Sequence, residues 1–309
     1  MNLLWPNYLR GMLTTEMERL IVFALEEDLG GGDHTSASSI PVELQREGFI
    51  LAKESGVVAG LEVALEVFRR VDATLQCVLL AQDGDAVDFG AQVMRISGSA
   101  RSILEAERLA LNFIQRMSGI ATRTAAVVAS LEGTVCRVLD TRKTTPGIRA
   151  FEKWAVRIGG GVNHRMGLHD MILIKDNHVD YAGSMMKAME GVALYLNERQ
   201  LELPVVVEVR NAKEAAEAME ARSRWTKPSG LPLIDRLLLD NHTPDQAAEA
   251  VTEWGADIPL EASGGITPSN ARAYGDAGVN FISMGWLTHS VSVLDFSLKS
   301  TDRIHVAHG

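Results

Sequence analysis

Residues 140–178 read DTRKTTPGIRAFEKWAVRIGGGVNHRMGLHDMILIKDNH. The stretch gathers Arg142, Lys143, Arg149, Lys153, Arg157, His164, Arg165 and Lys175 in a chain whose net charge is −10. Positive charge collected in this way in an acidic protein points to an anionic ligand. The apolar runs VCRVL before Asp140 and MILI before Lys175 stop abruptly at charged residues, as parallel strands do where their ends face a site. Thr144-Thr145-Pro146-Gly147 breaks the chain, and Gly159-Gly160-Gly161 lets a backbone approach something closely. The plain alternative is a solvated basic face with turn glycines, but here the charges sit at strand ends beside those glycines.

Working outward, the same design recurs beyond about residue 118. VVVEV ends at Arg210, RLLL at Asp240, IPLE at Ser263 and FISM at Gly285, giving six clear strands with the two above. Helix-compatible segments such as 211–222 and 243–254 lie between most of them, and RSRWTKPSGLPLI (222–234) interrupts the pattern as an inserted loop. Alternating strands and helices predict a parallel sheet with helices outside, whose strand ends supply the reactive groups. Upstream, residues 15–29 have helical apolar spacing through Met17, Leu20, Ile21, Ala24 and Leu25, with Thr15 and Glu18 as a capping box and Gly30-Gly31-Gly32 as terminator. From Gly48 to Ser99 short strands and a helix at about 61–71 are expected, with Asp83, Asp85 and Asp88 as turn and surface residues. A long helix is expected to open at Ser102, capped with Glu105, and to end at Ser118-Gly119. Arg108 lies off its apolar stripe, with Glu105 as the obvious local partner.

Composition bounds the function. The 309 residues are 46% hydrophobic and 23% charged, as in globular proteins with a sizeable core. No apolar run approaches the roughly 20 residues of a membrane span, and the acidic balance argues against nucleic acid. MNLLWPNYLRGM lacks the features of a signal peptide, and Cys77 and Cys136 have no paired or metal spacing, so a cytoplasmic location is expected.

The strand ends offer three kinds of group. Arg142, Lys143, His164, Arg165 and Lys175 suit carboxylate or phosphate oxygens. Glu208 and Asp240, on successive strand ends away from those cations, suit a hydroxylated sugar or a hydrated divalent cation. Ser263-Gly264-Gly265 and Gly285 offer backbone amides and helix N-termini to a phosphate. Glu208 and Asp240 as structural partners of neighbouring bases, and His289 as a cap of the final helix, are the simpler readings. His169 and His178 read as supporting loop residues.

These segments resemble the quinolinate phosphoribosyltransferase (decarboxylating nicotinate-nucleotide pyrophosphorylase) family over nearly the whole chain. The resemblance is carried by EEDLGGGDHT, AKESGVVAGLEVALEVF, EAERLALNFIQRMSGIAT, DTRKTTPGIRAFEKWAV, GGGVNHRMGLHDMILIKDNH, LLLDN, LEASGGIT and THSVSVLDFSLK. It implies an α/β fold: an N-terminal α/β sandwich (1–117, with 290–309 packing back on it) and a C-terminal open, incomplete α/β barrel of about seven parallel strands (118–289). It implies transfer of phosphoribose from 5-phosphoribosyl 1-diphosphate to quinolinate with decarboxylation, giving nicotinate mononucleotide, with Mg2+ on the diphosphate. Thr141, Arg142, Lys143, His164, Arg165 and Lys175 then match the quinolinate site. Glu208 and Asp240 match the acids at the ribose and the metal, the latter through water. Ser263, Gly264, Gly265, Gly285 and His289 match the phosphate turns, and Lys143, Lys175, Glu208 and Asp240 the catalytic groups. A homodimer with shared sites is implied, Arg108 reaching the neighbour's quinolinate. Val162 (His in many relatives), Arg210 (Asp in many) and the 222–234 insertion depart from the family pattern beside matched positions. Two alternatives stand at this point: a lyase with Lys175 or Lys143 as Schiff-base lysine, and a non-catalytic anion-binding or molybdenum-transport-associated relative.

Overall fold

The structure is a computed structural model that describes residues 13–301; MNLLWPNYLRGM and the end of the 290–309 tail lie outside them. The chain divides into two compact units. The first comprises residues up to Ala125, Thr144–Gly160 and the chain from Leu287 on; the second comprises Ala126–Lys143 and Gly161–Trp286.

In the first unit α1 (Thr15–Leu29) forms where the apolar spacing predicts it, burying Met17, Ile21 and Leu25. Its cap is Thr14, whose hydroxyl accepts the Met17 N–H, one residue before the expected Thr15, and Gly30 ends it. Asp33 caps the short α2 (His34–Ser39) by accepting the Thr35 and Ser36 N–H groups. Next come β1 (Gln45–Ala52), β2 (Gly56–Val57), α3 (Leu61–Val71), β3 (Gln76–Leu79), β4 (Ala86–Val87), β5 (Gln92–Ser99) and α4 (Ala100–Ser130). Buried and half-buried residues alternate along β1 from Glu47 to Ala52, so one face of the sheet meets the core.

Helix α4 corrects two expectations. It begins at Ala100, with Ser99 Oγ accepting the Ser102 N–H, while Ser102 itself donates to Asp72. It also runs straight through Ser118-Gly119 to Ser130. Ser118 there exchanges hydrogen bonds with the Ala59 backbone. A Cβ on Gly119 would stand 2.1 Å from the Ser292 carbonyl oxygen, so the glycine admits a neighbouring backbone rather than ending a helix. Gly159 both caps the helix that ends at Ile158 and admits a neighbouring backbone, since a Cβ on it would run into the Ala121 carbonyl oxygen. Asp83 is also misplaced by sequence reasoning. Its Oδ1 accepts the Leu61 N–H at the start of α3, while Oδ2 is buried without a hydrogen-bond partner. Burial outweighs the Leu61 and Gly60 backbone donors and pushes its carboxyl up to about 6.

The second unit carries a six-stranded parallel sheet. Its strands are β6 (Arg137–Leu139), β7 (Ile172–Ile174), β8 (Val205–Val209), β9 (Arg236–Asp240), β10 (Leu260–Ser263) and β11 (Phe281–Ser283), in spatial order β6-β11-β10-β9-β8-β7. They coincide with the six apolar runs. Because β11 returns to pair with β6, the order is cyclic with one gap, on the β7 side: an open barrel, as expected. Val162 extends the edge beside β6 by a single parallel bridge to Leu139, made through backbone groups that do not depend on its side chain. α5 (Arg149–Ile158) belongs to the first unit. Between the later strands lie α6 (Asp176–Ala182), α7 (Met185–Arg199), α8 (Ala212–Arg224), α9 (Pro244–Trp254) and α10 (Ala271–Asp276), and α11 (Trp286–His289) follows β11. Their starts are locally encoded: Asn211 accepts the Glu214 N–H, and Thr243 with Gln246 forms a capping box around Pro244. β12 (Phe296–Ser300) returns to the first unit, completing its antiparallel sheet in the order β12-β1-β5-β3.

The segment 222–234 is folded rather than loose. Thr226 bridges Pro232, and the buried Lys227 places Nζ 2.6 Å from Asp235 Oδ2, which also accepts the Val205 N–H. It therefore packs at the N-terminal ends of β8 and β9, remote from the strand ends that carry the candidate site.

Among the described residues no helix is long and apolar enough to cross a membrane.

Candidate functional site

Parallel register decides which side chains share the inner face of the second unit. Glu208 pairs with Leu238, Leu238 with Glu261, and Glu261 with Phe281. Residues two apart on a strand point the same way. Asp240, Ser263 and Ser283 therefore stand one layer nearer the C-terminal ends, and Arg236 one layer below. Lys175 follows Ile174, the partner of Val207, and so stands level with Glu208. Its Nζ lies 2.6 Å from Glu208 Oε2. The two expected sets of groups thus touch, and Glu208 does not stand apart from the cations as the sequence reading had it. The other Glu208 oxygen faces the Asp176 N–H at 3.4 Å.

At the end of β6, Asp140 is fully buried and organises the next loop. It accepts the Asn163 side-chain amide at 2.5 Å and the His164 N–H at 2.8 Å. Thr141 Oγ1 accepts the Lys143 N–H at 3.0 Å, turning Arg142 and Lys143 outward into exposed positions. Arg165 is nearly buried, and its guanidinium donates to the Met171 carbonyl at 3.3 Å. Burial lowers its affinity for the proton, the neighbouring Arg142 lowers it further, and Asp170 opposes both. Among the described residues neither Arg142 nor Arg165 forms a salt bridge. Two neighbouring arginines outside any salt bridge, with Asp170 the one carboxylate among the described residues acting on Arg165, suit an anion with two acidic groups.

Arg149, Lys153 and Arg157 belong to another part of the chain. They lie on α5 in the first unit, where Lys153 is buried. There Arg116 and the Thr145 N–H both bind the buried Glu152, which ties down the TTPG segment.

The glycine turn after β10 has a physical requirement for glycine. Gly264 has φ +95°, and a Cβ on it would collide with the Asn241 side chain. Gly265 has φ +62° and open space on that side. Helix α10 starts only at Ala271, so no helix N-terminus directly follows this turn. Gly285 directly precedes α11. Asp240 Oδ2 accepts the Asn241 side-chain amide at 2.9 Å.

The remaining expected residues lie in the first unit or play supporting parts. Arg108 is exposed on α4 and, among the described residues, makes no salt bridge with Glu105. His289 is exposed at the end of α11, its Nδ1 2.6 Å from Ser290 Oγ. His178 accepts the Lys175 N–H at the start of α6. Arg210 pairs with Glu214 at 2.6 Å and Asp180 at 3.5 Å, so the departure from the family pattern makes surface ion pairs. Sequence reasoning missed Arg236 and Glu261, which form a buried ion pair at 3.0 Å in the barrel interior. Their only local signal is a charge inside an otherwise apolar strand.

Comparison with known proteins places this geometry. The N-terminal domain of quinolinate phosphoribosyl transferase matches residues 33–118, and its C-terminal domain residues 120–299. A Nicotiana tabacum protein named quinolinate phosphoribosyltransferase [decarboxylating] 1b is 43% identical over 296 residues, covering 93% of this chain and 83% of its own length. A probable nicotinate-nucleotide pyrophosphorylase [carboxylating] of Bacillus subtilis is 39% identical, covering 93% and 94%. The crystal structure of NadC from Streptococcus pyogenes superposes with a TM-score of 0.86 at 37% identity, over 94% of this chain and 98% of that one. With both domains matched in order and the open barrel shared, the chain belongs to the quinolinate phosphoribosyl transferase family.

Proposed function

We propose that this protein transfers phosphoribose from 5-phosphoribosyl 1-diphosphate to quinolinate and decarboxylates the product to nicotinate mononucleotide. The observation that carries the reading is the nearly buried Arg165, with one long hydrogen bond to the Met171 carbonyl, beside Arg142, neither of them in a salt bridge among the described residues. With Lys143 and Lys175 they hold the two carboxylates of quinolinate and aim its ring nitrogen. The nitrogen lone pair forms the bond to C1 of the ribose as the C1–O bond breaks and diphosphate leaves with the electron pair. The ring nitrogen is now positively charged, so the bond from C2 to its carboxylate breaks to give carbon dioxide. The electrons left on C2 then take up a proton. Glu208 and Asp240 stabilise the ribose as it gains oxocarbenium character. No general base is required, because the ring nitrogen is itself the nucleophile.

The Schiff-base alternative loses support at Lys175, whose Nζ faces Glu208 at 2.6 Å. A magnesium ion fits in one way only. Among the described residues no three His, Cys, Asp or Glu side chains gather as a cage. One or two carboxylates acting through water on a cation carried by phosphates is nonetheless the usual magnesium arrangement, and Asp240, with Glu208, would hold the ion in this way. When bound, the ion neutralises charge on the leaving diphosphate. In the same reading the sandwich domain (1–117) presents Arg108 to the barrel domain (118–289) of a second subunit in a cytoplasmic homodimer.

The test is direct. The protein with quinolinate, magnesium and phosphoribosyl diphosphate should yield nicotinate mononucleotide and carbon dioxide in equal amounts. Absence of both, in a folded protein, refutes the assignment.

A further inference from the structure

Among the described residues two other than glycine have a positive φ, Gln200 at +53° and Asn241 at +54°. Gln200 caps the C-terminus of α7, a usual place for the left-handed conformation. Asn241 caps nothing. It stands directly after β9, between Asp240 and the cap of α9. It is also exposed, so packing of its side chain does not force the conformation. A residue other than glycine held there costs free energy, and such residues cluster where their geometry serves a site.

Its contacts show what the conformation achieves. The Asn241 N–H donates to the Ser263 carbonyl at 2.8 Å, carrying the β9–β10 register one step past the Asp240–Ser263 pair. The side-chain Nδ2 donates to Asp240 Oδ2 at 2.9 Å. An ionised carboxylate only accepts, so this contact decides which end of the amide is the nitrogen and leaves Oδ1 toward Gly264. A Cβ on Gly264 would run into that oxygen, so Asn241 is one reason the turn needs glycine there. The bend beyond is braced as well. Tyr274 donates its hydroxyl to the His242 carbonyl at 2.9 Å, and His242 Nδ1 lies 3.2 Å from the Asp240 carbonyl.

We propose that Asn241 is a positioning residue for the phosphoribosyl half of the reaction, its one amide aiming the Asp240 carboxylate and seating the Ser263-Gly264-Gly265 turn. The paired strands fix the backbone spacing of acid and turn, and the amide fixes the carboxylate against the glycine. With Oδ2 held by Asn241, Asp240 Oδ1 is left for a sugar hydroxyl or for water on a cation. A sugar phosphate reaching from that oxygen to the turn amides meets both ends already set. The inference rests on the phosphoribosyl transfer proposed above.

Two variants separate side chain from backbone. Asn241→Gly adopts a positive φ freely but removes the amide. Asn241→Asp keeps the shape and tolerates the same φ, but turns a carboxylate oxygen toward Asp240 in place of the donor. In both, kcat/KM for phosphoribosyl diphosphate should fall at least about tenfold, while the Kd for quinolinate measured by calorimetry stays within about twofold. A merely structural role would weaken both substrates alike. That result, wild-type kcat/KM in either variant, or failure of both variants to fold overturns the proposal. Wild-type protein that forms no nicotinate mononucleotide refutes the functional reading and this inference with it, whereas an active wild type with any of the other outcomes refutes this inference alone.

Discussion

Replacing quinolinate by nicotinate removes the ring's 2-carboxylate and leaves the rest of the ligand intact. The cost can be worked from the arginines. The Arg165 guanidinium is nearly buried and, among the described residues, has one hydrogen bond, a long one of 3.3 Å to the Met171 carbonyl. It also bears the repulsion of Arg142. A hydrogen bond to a charged group contributes about 1.5–3 kcal/mol net, so losing one carboxylate should weaken binding roughly 10- to 150-fold. Restored repulsion between the arginines pushes the loss toward the upper end. Titration calorimetry with the two acids at fixed ionic strength measures the ratio directly. Arg165→Met provides the control: it should weaken quinolinate strongly, nicotinate less, and so reduce the discrimination. Affinities for the two acids within about threefold, equivalent to less than about 0.7 kcal/mol, would refute the two-carboxylate assignment.

Four other expectations follow from named contacts. Asp240→Asn should lower kcat at least about tenfold with quinolinate affinity nearly unchanged, whereas Glu208→Gln should disturb both, because Glu208 holds Lys175 at 2.6 Å; steady-state kinetics with calorimetry separates the two patterns. Arg108→Ala and Lys143→Ala should each be inactive, yet regain activity on subunit exchange, since a mixed dimer contains one intact site; verified exchange without recovery contradicts a shared site. Asp83 has its folded pKa raised to about 6, so its favourable contribution is complete below about pH 4 and is lost as pH rises through about 6; Asp83→Asn should therefore gain on the wild type by on the order of 2 kcal/mol between pH 4 and 7, and parallel denaturant profiles would contradict this. Gly119→Ala should destabilise by about 2 kcal/mol or more despite roughly 1 kcal/mol of better helix propensity, because its Cβ meets the Ser292 carbonyl; an unchanged unfolding midpoint would exclude that clash.

The barrel strands were legible because parallel strands buried on both faces read as continuous apolar runs ended by polar residues, as VVVEV and RLLLD do. Helices with local caps, such as α9 behind Thr243-Pro244, were equally legible. What failed depended on partners distant in sequence. Ser118-Gly119 looks like a helix end until Ala59 and Ser292 are seen against it. Asp83 looks like a turn residue until Leu61 donates to it. Glu261 and Arg236 face each other only because parallel register aligns two strands, and nothing local to either residue encodes that. Within the site, the cations and acids were legible by type and spacing. The Lys175–Glu208 contact was not, because it depends on the level at which β7 and β8 align.

The cyclic strand order has a consequence for the timing of folding during synthesis. β6 is made early, yet its partner β11 emerges more than a hundred residues later, and β1 waits still longer for β12. Until then a growing chain carries two sheets with open edges, the configuration most exposed to pairing with other chains. Such distant pairings also slow folding. A ribosome-stalled chain released before residue 281 should therefore depend on chaperones far more than one released after residue 300, although the two differ by only a short stretch of sequence.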